Sequence, residues 1–449
     1  FCLSMPIPKK LLLYFAWKGS GSFWTNRRIR KTVRRAYQSK FYKEVFDSCG
    51  INPREIRNAL DLETQVPLTQ REQISLKTRN PFDLLAVDYQ KTSILYGATS
   101  GTTSGHIVPV FMSQHELGKA LNLALRLPVF DHMSQRDRVC LLFPMVRTFA
   151  GQVATEIVKK TGAFLANLGT RTNINPPDQV AQTLLALKPS ILGVIPTDGF
   201  ALSQIMRDWN YDPKKLGVEK IVIGAEPCSR NRIKRLQEIY GAQMIFNFAG
   251  QNEVGLPGIP CEKGNMHFPS IGMYLEVWKP DLSEKVGYGE PGVPVITTLF
   301  KQAAPFLRYW TNDLVLVEDG RKCECGLRFP LYNILGRLQT QITIRNKIVM
   351  PIELENLLYR EPIDGVWYLI EIDEERIEIQ VEHRYPKDYA QLEKAISNHF
   401  HKAFDITTTT TCVEVGTLYD YNSIRPGKPL SRIIDKKTGG RDIELIEEG

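Results

Sequence analysis

The chain has 449 residues, 43% of them apolar and 24% charged, with a formal net charge of +8. This exceeds one ordinary hydrophobic core, so two or three domains are expected, and the balance is that of a soluble globular protein. Eight scattered cysteines in so long a chain exclude a small disulfide scaffold and favour the cytoplasm.

In chain order, residues 1–90 carry mostly helical patterns. The apolar run "LLLYFAW", residues 11–17, is too short to span a bilayer, and no clean small-residue cleavage site follows it. "RRIRKTVRRA", residues 27–36, has six basic residues, with Ile29, Val33, Ala36 and Tyr37 at helical spacing. That is an amphipathic helix with a solvated basic face. No aromatic–basic platform or zinc-finger spacing accompanies it, so nucleic acid is not expected as a partner; with no run long enough to span a bilayer, neither is a membrane. "QVPLTQREQI" reads as a Pro turn followed by a helix start.

Residues 91–112 read as strand, loop, strand. From 114 to 260, amphipathic segments alternate with the apolar runs "RVCLLF", "AFLANL", "SILGVI", "KIVIGA" and "AQMIFNF". This alternation predicts βα units on a mostly parallel sheet. Residues 271–335 change character: "MYLEVW", "VPVITTL" and "DLVLVED", separated by Gly and Pro turns, read as an antiparallel unit. Beyond Gly336 the pattern predicts a small α+β domain of normal size, with a hairpin turning at "DEER", a helix over "DYAQLEKAISNHFHKAF" and a Thr-rich strand. The expected fold class is therefore α/β, with a large domain over 1–336 and a small one over 337–449.

One stretch asks for chemistry. From Gly97 to Ser104 every residue is Gly, Ala, Ser or Thr, with apolar residues on either side. Such a loop lets backbone amides and hydroxyls close on an anion, although polar hairpin loops have the same composition. The lysine of a Walker-type loop is absent.

"TSGTTSG" at 99–105 resembles the phosphate loop of the adenylate-forming enzymes, the acyl-CoA synthetase superfamily. "IVIGAEPCS" (221–229) is similar to the phenylacetate–CoA ligase-like branch, and "FAGQNEVG" (248–255) stands where the family has an aromatic-Gly-x-Thr/Ser-Glu motif. "LRYWTNDL" (307–314) resembles the R-Y-R-T-G-D segment, "ILGRLQTQITIRNKIVMPIELE" (334–355) the hinge, and "RPGKPLSRIIDKK" (425–437) the closing lysine segment. Six motifs in the family's order, spread over nearly the whole chain, are specific where each alone is not.

The resemblance implies ATP-dependent activation of an aromatic carboxylic acid, with Mg²⁺ and with coenzyme A as acyl acceptor. It further implies that residues 337–449 form a mobile lid. Ser100, Gly101, Thr102 and Thr103 would cradle phosphates, and Glu253 would hold Mg²⁺ and serve catalysis. Asp313 would accept the ribose hydroxyls. Gly224, Ala225, Glu226, Pro227, Asn247, Phe248 and Ala249 would wall the adenine, and Arg337 would reach ribose or phosphate. Lys428 would bridge carboxylate and α-phosphate. Phe143, Phe149 and Gly250 are candidates for the acid pocket, with ordinary core packing as the alternative for the two rings.

The sequence departs from the family at Ala249, where the adenine-stacking aromatic is expected, at Asn252 before the glutamate, and at Asn312 in place of glycine. The hinge acidic pair is Gln339 and Thr340, an extra Ser104 lengthens the phosphate loop, and "GKPLSR" has one residue more between Lys and Arg than the family form. An amine or a carrier-protein thiol remains open as acceptor, as does a nucleotide-binding protein without turnover. A homodimer or a carrier protein stays open as partner.

A second constellation is metallic. "CEKGNMH" supplies Cys261 and His267, and "CECG" supplies Cys323 and Cys325 in a tight turn. Cys₃His is a common structural zinc set, although neither spacing is that of a standard finger. The other cysteines read as small buried hydrophobes.

Overall fold

The computed structural model describes residues 22–99, 105–125, 127, 130, 133–422, 432–438 and 441–442. The phosphate-loop residues Ser100–Thr103 and Lys428 lie outside them. The described residues fall into two compact units, one within Phe1–Met133, Met145–Thr161 and Asn247–Ile334, the other within Ser134–Pro144, Gly162–Phe246 and Leu335–Gly449.

The first unit opens with three helices, Ser22–Ala36, Lys40–Ser48 and Ala59–Gln65. Ile29, Val33 and Ala36 are fully buried, so the first helix turns its periodic apolar face inward. "QREQI" makes only a short 3-10 turn, Arg71–Ile74, where the sequence suggested a helix start. Ile94–Ala98 and Pro109–Ser113 pair antiparallel and bracket the Gly/Ser/Thr loop. An eight-stranded, mostly antiparallel sheet runs in the order Met273–Trp278, Pro291–Thr298, Asp313–Glu318, Leu331–Arg337, Met266–His267, Gly255–Pro260, Ala249–Gln251, with Tyr309–Trp310 on Pro291–Thr298. The three runs expected to be antiparallel are strands of this sheet. Its core gathers Ile29, Phe46, Phe111, Ile296, Phe306 and Tyr332.

In the second unit all five expected runs are strands of one sheet, in the order Phe164–Asn167, Arg138–Leu142, Ile191–Val194, Lys220–Ile223, Met244–Asn247. The pairs resolved in register are parallel. Ile191–Val194 is buried along its whole length, as a central parallel strand covered on both faces must be. Helix Arg230–Tyr240 starts where the Ser229 hydroxyl accepts the Arg232 amide at 3.3 Å and stops at left-handed Gly241.

Residues 335–449 complete this unit. Tyr368–Ile372 and Arg376–Glu382 form the expected hairpin, whose turn is closed by Asp373 Oδ1 accepting from Glu375 N (2.8 Å) and Arg376 N (2.9 Å). The Thr-rich strand Thr407–Val413 runs parallel to Arg376–Glu382, and helix Tyr389–Phe404 packs beside it. An unforeseen two-stranded hairpin, Ile342–Ile344 with Lys347–Val349, follows the hinge and turns at Arg345, which adopts φ +51°. Leu354, Tyr359, Ile370 and Phe400 share one core with Phe200 and Leu236 of the parallel-sheet helices.

Candidate active site

Within the first unit the mouth of the Gly/Ser/Thr loop is held by side chains distant in sequence. Thr99 N donates to Val108 O (3.0 Å), and Val108 N to the Thr99 hydroxyl (2.9 Å). Asn252 Nδ2 donates to Ala98 O (3.0 Å), while its Oδ1 accepts the Phe149 amide at 3.3 Å. Asn252 therefore ties the loop to the start of helix Phe149–Thr161. A Cβ on Gly97 would lie 2.9 Å from Arg147 O and 3.1 Å from the Phe149 ring, so only glycine fits there. The Phe149 ring belongs to the unit's hydrophobic core. Lys77 Nζ lies 3.0 Å from the position of a Cβ on Gly105, so a cation from another segment stands at the far end of the loop, where the motif itself has none.

The next residue, Glu253, is 3% exposed. Its Oε1 accepts from Arg71 NH2 (2.7 Å) and from the Tyr309 hydroxyl (2.8 Å). Among the described residues Oε2 has no such partner, which leaves one oxygen of a buried carboxylate for a hard cation. Burial disfavours the Arg71 charge, but Glu253 and Tyr309 outweigh it and hold the guanidinium charged. Behind the glutamate, Lys301 donates to the Glu253 carbonyl at 2.5 Å. Burial pushes that lysine down to about 8 against the attraction of Glu116 and Glu253.

Asp313 is joined to the same neighbourhood by Gln251, whose side-chain amide donates to Oδ2. The Gln251 side-chain carbonyl oxygen is buried without a partner among the described residues. Asn312 takes φ +59°, and its Oδ1 accepts Trp310 Nε1 at 2.8 Å. The exchange of glycine for asparagine keeps the left-handed backbone, because asparagine tolerates that region better than other side chains. Gly250 is exposed, and Phe248 is half-buried. Ala249 is buried, 2.7 Å from the position of a Cβ on Gly258, so this residue faces the sheet and presents no ring.

In the second unit, the Gly224–Pro227 turn leaves Ala225 exposed at φ +72°. A left-handed alanine is strained by about 1–2 kcal/mol and marks the turn as held for a purpose. Glu226 does not offer its carboxylate to solvent. It accepts from Thr197 N (3.0 Å), Thr197 Oγ1 (2.9 and 2.8 Å) and Arg232 NH1 (3.0 Å). What the turn can give to a purine wall is its backbone, Ala225 and Pro227, and the expectation for the Glu226 side chain is amended accordingly. Phe143 is buried, with its ring against Gly193. Arg337 follows Gly336, whose φ of +147° is open to glycine alone, and the Arg337 carbonyl accepts the Thr340 hydroxyl at 2.8 Å.

The four expected metal ligands come together in the first unit, with all ligand atoms within 4.8 Å of one another. Cys261 Sγ and Cys323 Sγ are 3.8 Å apart, and Cys325 Sγ is 3.4 Å from His267 Nε2. A tetrahedral zinc would set these edges near 3.8 and 3.6 Å, given bonds of about 2.3 Å to sulfur and 2.0–2.1 Å to nitrogen. His267 Nδ1 donates to the Phe329 carbonyl at 2.8 Å, which aims Nε2 at the sulfurs. The Leu327 amide donates to Cys325 Sγ at 3.4 Å, and Asn265 Nδ2 to Cys323 Sγ at 3.4 Å. The residues fit a closed zinc centre.

Sequence reading missed Arg71, Tyr309, Lys301 and Lys77. Arg71 and Tyr309 sat inside stretches already singled out, "QVPLTQREQI" and "LRYWTNDL", but the local pattern names neither as a partner of Glu253; Lys301 and Lys77 sat in none. No helix among the described residues is long and apolar enough to cross a membrane.

No family model matches the chain. It is 27% identical to a phenylacetate–coenzyme A ligase of Thermus thermophilus, over 81% of this chain and 82% of that protein. A phenylacetate–coenzyme A ligase of Escherichia coli is 25% identical, over 77% and 78%. In structure the chain is similar to 2-hydroxyisobutyryl-CoA ligase in its postadenylation state, with a TM-score of 0.80, 19% identity, and 92% and 89% of the two chains covered. That likeness speaks for the fold. Taken with the relatives and with motifs that occur in the family's order, it makes the chain similar over most of its length to the adenylate-forming ligases of the phenylacetate–CoA ligase-like branch.

Proposed function

We propose that this ligase activates an aromatic carboxylic acid with ATP and passes the acyl group to coenzyme A. The carboxylate oxygen attacks the α-phosphorus, the bond to the β-phosphate breaks, and pyrophosphate leaves. The thiol then attacks the acyl carbon and AMP departs. The first step brings two anions together, so charge neutralisation is the main task of the protein. The observation that carries this reading is Glu253, buried, pinned through one oxygen by Arg71 and Tyr309, and set beside the anchored mouth of a Gly/Ser/Thr loop. Glu253 would hold Mg²⁺, which would neutralise phosphate charge. Asp313 would orient the ribose. Residues 337–449 would act as a lid, and Lys428 would meet the charge that develops as pyrophosphate leaves.

The test is pyrophosphate release over a panel of acids, with and without coenzyme A, and mass analysis of the products. An acyl-adenylate that accumulates without coenzyme A and becomes a thioester with it is the expected result. An amide or carrier-bound product would move the acceptor to an amine or a carrier thiol, and no release with any acid would favour a protein without turnover. Lys428→Ala should slow adenylate formation by roughly a hundredfold or more and leave transfer from a pre-made adenylate near normal. Equal slowing of both half-reactions would transfer the role to Lys436 or Lys437.

The Cys₃His centre is proposed to hold one structural zinc, which would tie the 261–267 turn to the 323–325 turn. Purified protein should carry about one zinc per chain, and Cys323→Ser should release it and lower the melting temperature. Protein freed of metal by a chelator, yet unchanged in melting temperature, would refute the structural role.

A further inference from the structure

The helix Ser22–Ala36 holds six cations, Arg27, Arg28, Arg30, Lys31, Arg34 and Arg35, and no acidic residue, in a chain whose whole net charge is +8. Arg28 is turned inward to the Ile271 carbonyl. The other five remain on the outer face, and among the described residues no carboxylate lies within ion-pair distance of them. With Gln38 they line an open cavity of about 350 Å³. The helix cannot roll these charges away, because Ile29, Val33 and Ala36 on the opposite face are fully buried and the Asn26 side chain accepts the Ala59 amide at 3.1 Å.

The first turn of the same helix exposes two aromatic rings. Phe23 is 66% and Trp24 47% exposed, with ring centroids 5.8 Å apart. The Arg27 guanidinium lies over Trp24 at 5.7 Å. Directly upstream the sequence runs Lys9, Lys10, then seven apolar residues, "LLLYFAW", then Lys18.

We infer that this face docks on the surface of an anionic phospholipid bilayer. The expectation of no membrane partner rested on the absence of a spanning segment, and a helix that lies on a surface needs none. Lipid phosphates satisfy the stripe of cations, and each cation near such a surface adds to the attraction. Trp and Phe settle at the headgroup level, where an apolar ring meets a wet boundary. A nucleic-acid backbone would satisfy the cations equally but leave the exposed aromatic pair in water. The inference does not depend on the acid, the acceptor or the proposed reaction.

The experiment is sedimentation of the full chain with vesicles of neutral phosphatidylcholine alone, and with about 30 mol% anionic phosphatidylglycerol added. Binding to the anionic vesicles only is expected, weakened at least tenfold by about 0.5 M salt. The variant Arg30→Glu/Lys31→Glu/Arg34→Glu should lose at least tenfold in vesicle affinity with adenylate formation unchanged. Phe23→Ser/Trp24→Ser, which alters no cation, should lose several-fold and keep its salt sensitivity. Failure to bind anionic vesicles, equal binding to neutral ones, or tighter binding to a duplex DNA under the same conditions would each overturn the inference. So would an aromatic variant indistinguishable from the parent.

Discussion

Glu253 in the first unit and Glu226 in the second are both carboxylates paired with an arginine, yet they are built to different ends. Glu226 has both oxygens occupied. The single Thr197 hydroxyl proton is shared between them (2.9 and 2.8 Å), the Thr197 amide donates to one, Arg232 NH1 lies at 3.0 Å, and Arg432 NH2 stands at 4.0 Å. Arg232 is fully buried and also reaches Glu355 at 3.2 Å, while the Ser229 amide donates to that glutamate at 2.6 Å. Both acids are closed, with every carboxylate oxygen taken, and the rings of Phe200 and Tyr359 lie against the Arg232 guanidinium, whose Nε is buried without a hydrogen-bond partner among the described residues. Around Glu253 the same residue types stop short of closure, with one oxygen carrying both Arg71 and Tyr309. A buried carboxylate with both oxygens taken positions a backbone; one with an oxygen to spare can still take a ligand.

The comparison can be broken first at Arg232. Arg232→Leu leaves buried acids without their main partner, and losing one member of a buried pair costs about 3–5 kcal/mol. Urea unfolding should show that loss, and an unchanged midpoint would mean the cluster is not closed. Glu253→Gln should act the other way. Adenylate formation should fall by roughly a hundredfold, and circular dichroism should report an intact fold, since the amide oxygen can still accept from Arg71 and Tyr309. A variant that unfolds would place Glu253 with Glu226 among the structural acids.

Arg71→Gln sharpens the contrast with a smaller effect. It loosens the carboxylate without removing it, so adenylate formation should drop about tenfold, with a raised Mg²⁺ requirement and an unchanged KM for the acid. Arg71→Lys should restore only part of the rate, because a point charge replaces a planar fork. If the Mg²⁺ requirement does not move, Arg71 is not the residue that positions Glu253.

Glu253 and Asp313 could be singled out from the sequence because they stand inside ordered motifs, and Cys261, His267, Cys323 and Cys325, which the fold brings together, because their chemistry is conspicuous in loops. Their partners were not. Arg71 is 182 positions from Glu253 and Tyr309 is 56, and nothing local in "TQREQ" or "RYWTN" names a carboxylate as the target. Glu226 stood in a motif too, but its side chain answers to Thr197 and Arg232, which the motif does not mention.

What the sequence by itself determined is the kind of element at each place. Continuous apolar runs became the strands of the second unit's sheet, alternating runs became the antiparallel sheet and the C-terminal hairpin, and the Ser229 cap with Gly241 bounded a helix. These follow from periodicity and backbone chemistry that act within a few residues. Tertiary structure alone decided which carboxylate is spent on structure and which keeps an oxygen free, and that four ligands 64 positions apart at their extremes close on one point. Those outcomes depend on burial and on partners brought in from afar, and both are properties of the packed chain.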